Sequence, residues 1–163
     1  MRPMHLRRRI VSTLGALVLA GLMSPLCIAD AHRPATLEVK ATAAVRQDHG
    51  LVPADRVVPG DEVFYTLEIK NTGSTPLPPP TVDFAIPEHV RYIANSAVGA
   101  GVEVSYSIDG GHTFDRPENL KVAAGGGDLR TATAAEYTHI RWRLKHVLKS
   151  KAMALARFRA VVK

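Results

Sequence analysis

Apolar and polar residues alternate with a period of two along most of the chain. In TLEVKATAAVR (Thr36–Arg46), Leu37, Val39 and Ala41 fall on one face and Glu38 and Lys40 on the other. In DEVFYTLEIK (Asp61–Lys70), Val63, Tyr65, Leu67 and Ile69 oppose Glu62, Thr66, Glu68 and Lys70. GVEVSYSI (Gly101–Ile108) sets Val102, Val104, Tyr106 and Ile108 against Glu103, Ser105 and Ser107, and HIRWRL (His139–Leu144) sets Ile140, Trp142 and Leu144 against His139, Arg141 and Arg143. Successive side chains of a strand point to opposite faces, so each segment predicts a half-buried β-strand. Shorter strands are predicted over VDFAI (Val82–Ile86), VRYIA (Val90–Ala94) and ARFRAVV (Ala156–Val162).

Turn residues divide these runs. Pro59-Gly60-Asp61 opens one strand and Asn71-Thr72-Gly73 closes it. Pro78-Pro79-Pro80 has no backbone N–H to give to a ladder and fits a crossover between sheets. Gly125-Gly126-Gly127 marks a flexible loop. Helical periodicity is weak throughout, with single turns admissible at Ala132–Tyr137 and Leu144–Ala156. Short strands with regular turns predict an all-β, immunoglobulin-like antiparallel β-sandwich of about seven to nine strands.

The first 31 residues are different. Arg2, Arg7, Arg8 and Arg9 precede an uncharged apolar run, Ile10–Met23, and Ala29-Asp30-Ala31 offers the small residues that a signal peptidase reads. The pattern predicts a secretory signal peptide over 1–31 and one folded domain over 32–163. Cleavage fits best after Ala31, with Ala29 the alternative. The apolar run is short for a membrane span, which needs about 20 residues, so membrane attachment is expected only through an uncleaved signal. Ser24-Pro25-Leu26 lacks the small residue expected before a lipidated Cys27, and Arg7-Arg8-Arg9 fits a twin-arginine signal only loosely. The expected location is the periplasm or the cell surface.

Removal of the signal changes the chemistry. It takes four of the 21 Lys and Arg and one of the 15 acids, leaving 17 against 14, a net charge of +3 instead of +6. The basic isoelectric point therefore does not argue for nucleic acid as a partner. It also takes Cys27, the only cysteine, so the mature domain is held by its apolar core and has no thiol nucleophile or thiolate ligand.

SIDGGHTF (Ser107–Phe114) fits the Ser-x-Asp-x-Gly-x-Thr-aromatic pattern and resembles the Asp-box hairpins of sialidase-like propellers. One copy in a chain too short for a propeller points to a structural hairpin built from Ser107, Asp109, Gly111, Thr113 and Phe114. A glycosidase needs two facing carboxyl groups, and no such pair stands out. The rival reading is a carbohydrate-active or other hydrolase related to Asp-box proteins.

VVPGDEVFYTLEIKNTG and AIPEHVRYIANSA (Ala85–Ala97), with the Tyr-Ser-x-Asp-Gly-Gly hairpin and the late YTHIRWRL strand, resemble the bacterial cell-surface "conserved repeat domain" family, domain of unknown function eleven. The likeness spans Val57–Lys163 and departs at Lys149-Ser150-Lys151, where a Pro-Gly turn is usual. It implies an immunoglobulin-like sandwich at the envelope or surface and carries no catalytic residues.

Other constellations are thin. His32, His49, His89, His112, His139 and His146 are scattered, without the convergence that zinc needs. Asp109, Asp115 and Glu118 do not have the spacing of an EF-hand loop. Ser105 and Ser107 lack a nucleophile elbow, and the triple glycine lacks the following Lys of a phosphate loop. No catalytic, cofactor-binding or metal residues and no cofactor are therefore assigned.

Charge is the most informative feature. Tyr137–Lys163 holds eight basic residues and no acid. If His139–Leu144 and Ala156–Val162 pair, then Arg141, Arg143, Arg157 and Arg159 share one outer face. Like charges across a sheet are unfavourable, so Glu62 and Glu68, or an anionic partner, should neutralise them. The sequence thus predicts a non-enzymatic exported structural or binding module that recognises an envelope protein or anionic glycan by a sheet face or edge strand. Self-association through edge strands is a further expectation.

Overall fold

The computed structural model describes residues 36–47 and 50–163. The signal peptide and its variants, with Cys27, His32 and His49, lie outside them. Eleven strands follow in order: β1 (Leu37–Gln47), β2 (Gly50–Pro53), β3 (Glu62–Asn71), β4 (Thr81–Ala85), β5 (Val90–Tyr92), β6 (Val98–Gly99), β7 (Val102–Ser107), β8 (Lys121–Ala124), β9 (Asp128–Thr131), β10 (His139–Leu144) and β11 (Met153–Val162). Short 3-10 turns occupy Pro117–Asn119 and Ala134–Glu136. The helical turn expected near Ala132–Tyr137 is present in this 3-10 form; the one expected within Leu144–Ala156 is replaced by a bridge and a turn.

The expected all-β antiparallel sandwich forms. The larger sheet runs β2-β1-β3-β11-β5, with β6 also on β11, and the smaller runs β4-β10-β7. These nine strands make the sandwich, and β8 with β9 is a separate hairpin. The triple glycine is the turn of that hairpin, with Gly126 at φ +87° and Gly127 at φ +94°. β3 is central, pairing with β1 from Leu37↔Asn71 to Val45↔Val63 and with β11 from Met153↔Lys70 to Val161↔Glu62.

Alternation places the apolar sets of β3, β10 and β11 between the sheets. Leu67, Ile69, Ile140, Trp142, Ala156 and Ala160 are fully buried, and each large aliphatic removed from water contributes about 1.5–3 kcal/mol. Tyr65 and Phe158 stack at 4.5 Å between ring centres, 3° from parallel, and Phe84 and Trp142 tilt onto Phe158 at 5.5 and 6.1 Å. The Tyr106 hydroxyl is buried against that of Tyr92 at 3.0 Å, and burial pushes its ionisation far up.

The triple proline lies on the crossover from β3 to β4. Beside it, Leu77 and Leu148 form an antiparallel bridge at 2.9 and 3.0 Å. The Lys149-Ser150-Lys151 turn forms without Pro-Gly: Lys151 takes φ +61°, a left-handed conformation that costs a residue with a Cβ about 1–2 kcal/mol. Docking offsets this, since Ser150 Oγ donates to the Gly73 carbonyl at 2.8 Å and Lys151 Nζ donates to the Thr72 carbonyl.

Candidate functional site

The side-chain hydrogen bonds of Ser107 and Asp109 stay within the SIDGGHTF hairpin. The Ser107 hydroxyl, fully buried, donates to Asp109 Oδ1 at 2.6 Å and accepts from the Gly111 amide at 2.9 Å. The Asp109 carboxylate also accepts the His112 amide at 3.1 Å, the Thr113 amide at 3.0 Å and the Thr113 hydroxyl at 2.6 Å. Gly110 and Gly111 lie at φ +77° and +88°. The positive φ strains any other residue at Gly111, and a Cβ there would also crowd the His139 ring at 3.2 Å. Thr138 Oγ1 accepts the Gly110 amide at 3.1 Å, which sews the turn to the residue before β10.

These donors hold the Asp109 carboxyl well below the usual carboxylate range, with the Ser107 hydroxyl the largest cause and the Thr113 hydroxyl next. The Glu136 carboxyl, gripped by Arg130 and by the Thr133 amide and hydroxyl, is lowered to about 2. A carboxyl depressed on folding adds stability that is present above its unfolded pKa and lost as pH falls through its folded value. For Glu136 the window runs from about 4.5 down to about 2; for Asp109 it extends lower. The expected result is that the Thr133 amide loses hydrogen-exchange protection across the first window while the His112 and Thr113 amides keep theirs. Loss of all three together near pH 4 would contradict these bonding patterns.

The other chemical candidates stay apart. Asp115 Oδ1 accepts from the Arg116 amide at 2.7 Å and the Asn119 amide group at 2.9 Å. Among the described residues, no three His, Asp or Glu side chains converge as metal ligands. Ser105 lies on the outward phase of β7 opposite Arg141, and Ser107 opposes His139 with its hydroxyl committed to the turn.

The four predicted arginines do not share one face. β10 pairs with β4 and β7, whereas β11 pairs with β3, β5 and β6. The expectation that the two arginine-bearing strands are neighbours is corrected, because the 145–152 connection crosses from one sheet to the other. Arg141 and Arg143 lie on the outside of the small sheet, and Arg157 and Arg159 on the outside of the large one.

The small-sheet pair is neutralised locally. Arg141 grips both oxygens of Asp83 at 2.7 Å, and its guanidinium lies 3.7 Å from the centre of the Phe114 ring. Phe114 therefore covers an ion pair as well as the hairpin base. Arg143 and Arg116 both bond Glu103, whose carboxyl they hold below its ordinary range. Asp83 and Glu103 take the part expected of Glu62 and Glu68 on this face. Exposed pairs contribute little stability individually, about 0–1 kcal/mol, but among the described residues they give Arg116, Arg141 and Arg143 each a carboxylate partner.

The large-sheet pair is different. Arg159 Nη1 bonds Glu62 Oε1 at 2.8 Å, and Arg157 has no acidic partner among the described residues. Phe64, which sits on the otherwise polar phase of β3, lies outside the sheet with Arg46 over its ring at 5.3 Å. Phe64 and Thr66 form the floor of a groove of about 370 Å³ flanked by Leu51, Val98, Arg157 and Arg159. Leu51 and Val98 are more than half exposed. The groove sets the apolar surfaces of Phe64, Leu51 and Val98 beside the Arg157 guanidinium, as a site for an anion with an apolar body requires. Its clue in the sequence is Phe64, an aromatic out of phase with the alternation. No protein-family model, no curated protein and no solved structure matches the chain.

Proposed function

We propose that the protein is a non-enzymatic, exported module of the bacterial cell envelope, a single-domain relative of the conserved repeat domain with an immunoglobulin-like sandwich, and that it binds an anionic envelope partner on the outer face of its large sheet. The observation that carries this is Arg157. It is exposed, has no acidic partner among the described residues, and lies on the groove that holds Phe64 and Leu51, whereas Arg141, Arg143 and Arg159 are each held by a carboxylate. The basic, hydrophobic and small-residue order of residues 1–31 supports export. The partner class is an acidic glycan or the phosphate-bearing headgroup of a lipopolysaccharide, whose sugar or acyl body would lie on Phe64 and Leu51.

The test is retention on immobilised heparin and on lipopolysaccharide. Arg157→Ala should weaken binding about tenfold, the worth of one charge-assisted contact, while Arg143→Ala, which removes a locally paired charge on the other sheet, should leave it unchanged. Equal retention of both variants and the parent protein would refute the assignment of this face. Glycosidase or esterase turnover abolished by a single Asp or Glu substitution would refute the non-enzymatic reading.

A further inference from the structure

We propose that β1 is a dimerisation edge, pairing antiparallel with the β1 of a second copy in a register centred on Val39. One edge of β1 is taken by β3 along its length. The other is covered by β2 only from Ala44 to Gln47, with one further bond from the Ala54 amide to the Ala43 carbonyl at 3.1 Å. From Leu37 to Ala41, nothing among the described residues pairs with that edge. An open edge of this length, without proline or bulge, is a template for another strand.

The backbone directions select the groups on offer. The Thr36 carbonyl points toward the β3 side, where it accepts the Thr72 amide at 2.9 Å, and the Ala43 carbonyl points the other way. In an antiparallel ladder alternate residues turn to opposite edges, so Leu37, Val39 and Ala41 present their N–H and C=O groups outward. The side chains of the same residues lie on the inner face, at a flank that the three-stranded sheet does not cover. Val39 is 43% exposed, although its neighbour across the ladder, Ile69, is fully buried.

Charge selects the occupant and the register. The edge carries two charges, Glu38 and Lys40, on either side of Val39. A two-fold axis at Glu38 or at Lys40 sets like charges directly opposite each other, which is unfavourable. An axis at Val39 sets Glu38 opposite the partner's Lys40, and Lys40 opposite the partner's Glu38. On the β3 side, Glu38 already faces Lys70 and Lys40 faces Glu68. The row then reads Lys70, Glu38, the partner's Lys40, the partner's Glu68, alternating in sign across the axis. In this register Val39 exchanges both backbone bonds with the partner's Val39, and Leu37 exchanges both with the partner's Ala41. The strand is thus complementary to itself in hydrogen bonding, charge and apolar contact. The axis stands perpendicular to the joined sheet, so both outer faces point the same way. If the outer face binds anions, as proposed above, the pair engages one surface through two grooves, but the pairing itself does not depend on that function.

The experiment is light scattering and sedimentation of the full chain, as purified from the expressing cell, over a wide concentration range. The expected result is a mass that rises to twice that of the single chain and no further. Glu38→Lys and Lys40→Glu should each weaken pairing at least about tenfold, because each sets like charges opposite at both symmetric positions. Mixing the two variants places opposite charges at every facing position and should restore the pair, as should combining both changes in one chain. Circular dichroism checks that each variant folds. Monomer at every concentration, growth beyond the dimer, unchanged pairing of the single variants, or failure of the mixture to rescue would each overturn the proposal. Arg157→Ala should pair normally, which separates this inference from that of the anion site.

Discussion

Replacing Asn71 by alanine is expected to destabilise the domain by about 3 kcal/mol. The side chain is fully buried at the end of β3. Its Nδ2 donates to the Thr75 carbonyl at 2.8 Å and to the Leu148 carbonyl at 3.0 Å, and its Oδ1 accepts the Gly73 amide at 3.0 Å. One residue thus satisfies groups on both connections between the sheets at that end. Alanine takes this partner from the Thr75 carbonyl and the Gly73 amide and leaves the Leu148 carbonyl with the Leu77 amide alone, and each orphaned buried group costs about 1–3 kcal/mol before water relieves part of it. The urea midpoint should fall by about 1–2 M with an unchanged slope. Asn71→Asp is a sharper probe, since it keeps the shape but turns an acceptor toward two carbonyls. That environment raises the introduced carboxyl's pKa above its unfolded value. Its contribution is then best at low pH and lost as pH rises, so the deficit relative to the parent protein should shrink between pH 7 and 4. A loss below about 1 kcal/mol for Asn71→Ala would show that the two connections do not depend on this residue.

Trp142 gives the second large effect, and its interest lies in the contrast between two variants. It is fully buried at the centre of β10, and its indole Nε1 has no hydrogen-bond partner among the described residues. Trp142→Ala should cost about 4 kcal/mol through lost apolar contact and the cavity it opens. Trp142→Phe loses fewer atoms and also removes a buried donor without an acceptor, which relieves part of the cost. We expect Trp142→Phe to cost less than about 2 kcal/mol by calorimetry. If it proves as damaging as alanine, the indole N–H has a partner in solution and the orphan assignment fails.

The hairpin and the arginines show where local sequence is enough and where it is not. Every hydrogen bond of Asp109 reaches a residue within four positions, so the role of SIDGGHTF is legible in eight consecutive letters. Asn71 is the opposite case. As part of Asn-Thr-Gly it reads as a turn residue, and it does bind the Gly73 amide. The bond to the Leu148 carbonyl spans 77 positions and has no local signature. Phe64 lies between these cases: its break in the alternation is visible, but Leu51, Val98 and Arg157 as its neighbours are not. β2, β6, β8 and β9 are not legible in the sequence, since two to four residues hold too few alternations unless, as for β5 within VRYIA, the pattern runs on beyond the strand.

What the chain determines by itself is phase: which side chains of β1, β3, β7, β10 and β11 turn toward the core and which toward solvent, because the pleat repeats every two residues whatever lies alongside. What only the tertiary structure decides is partnership. β10 and β11 are consecutive, basic on their outer phases and apolar on their inner ones, and nothing local forbids a hairpin between them. They part because Leu148 bridges to Leu77 and Ala152 accepts the Asn71 amide at 3.0 Å, which carries β11 into the large sheet between β3 and β5. Backbone hydrogen bonds are alike along every strand edge, so pairing is chosen by how the whole apolar surface is best buried. That global choice divides the four arginines between two faces and leaves Arg157 beside Phe64.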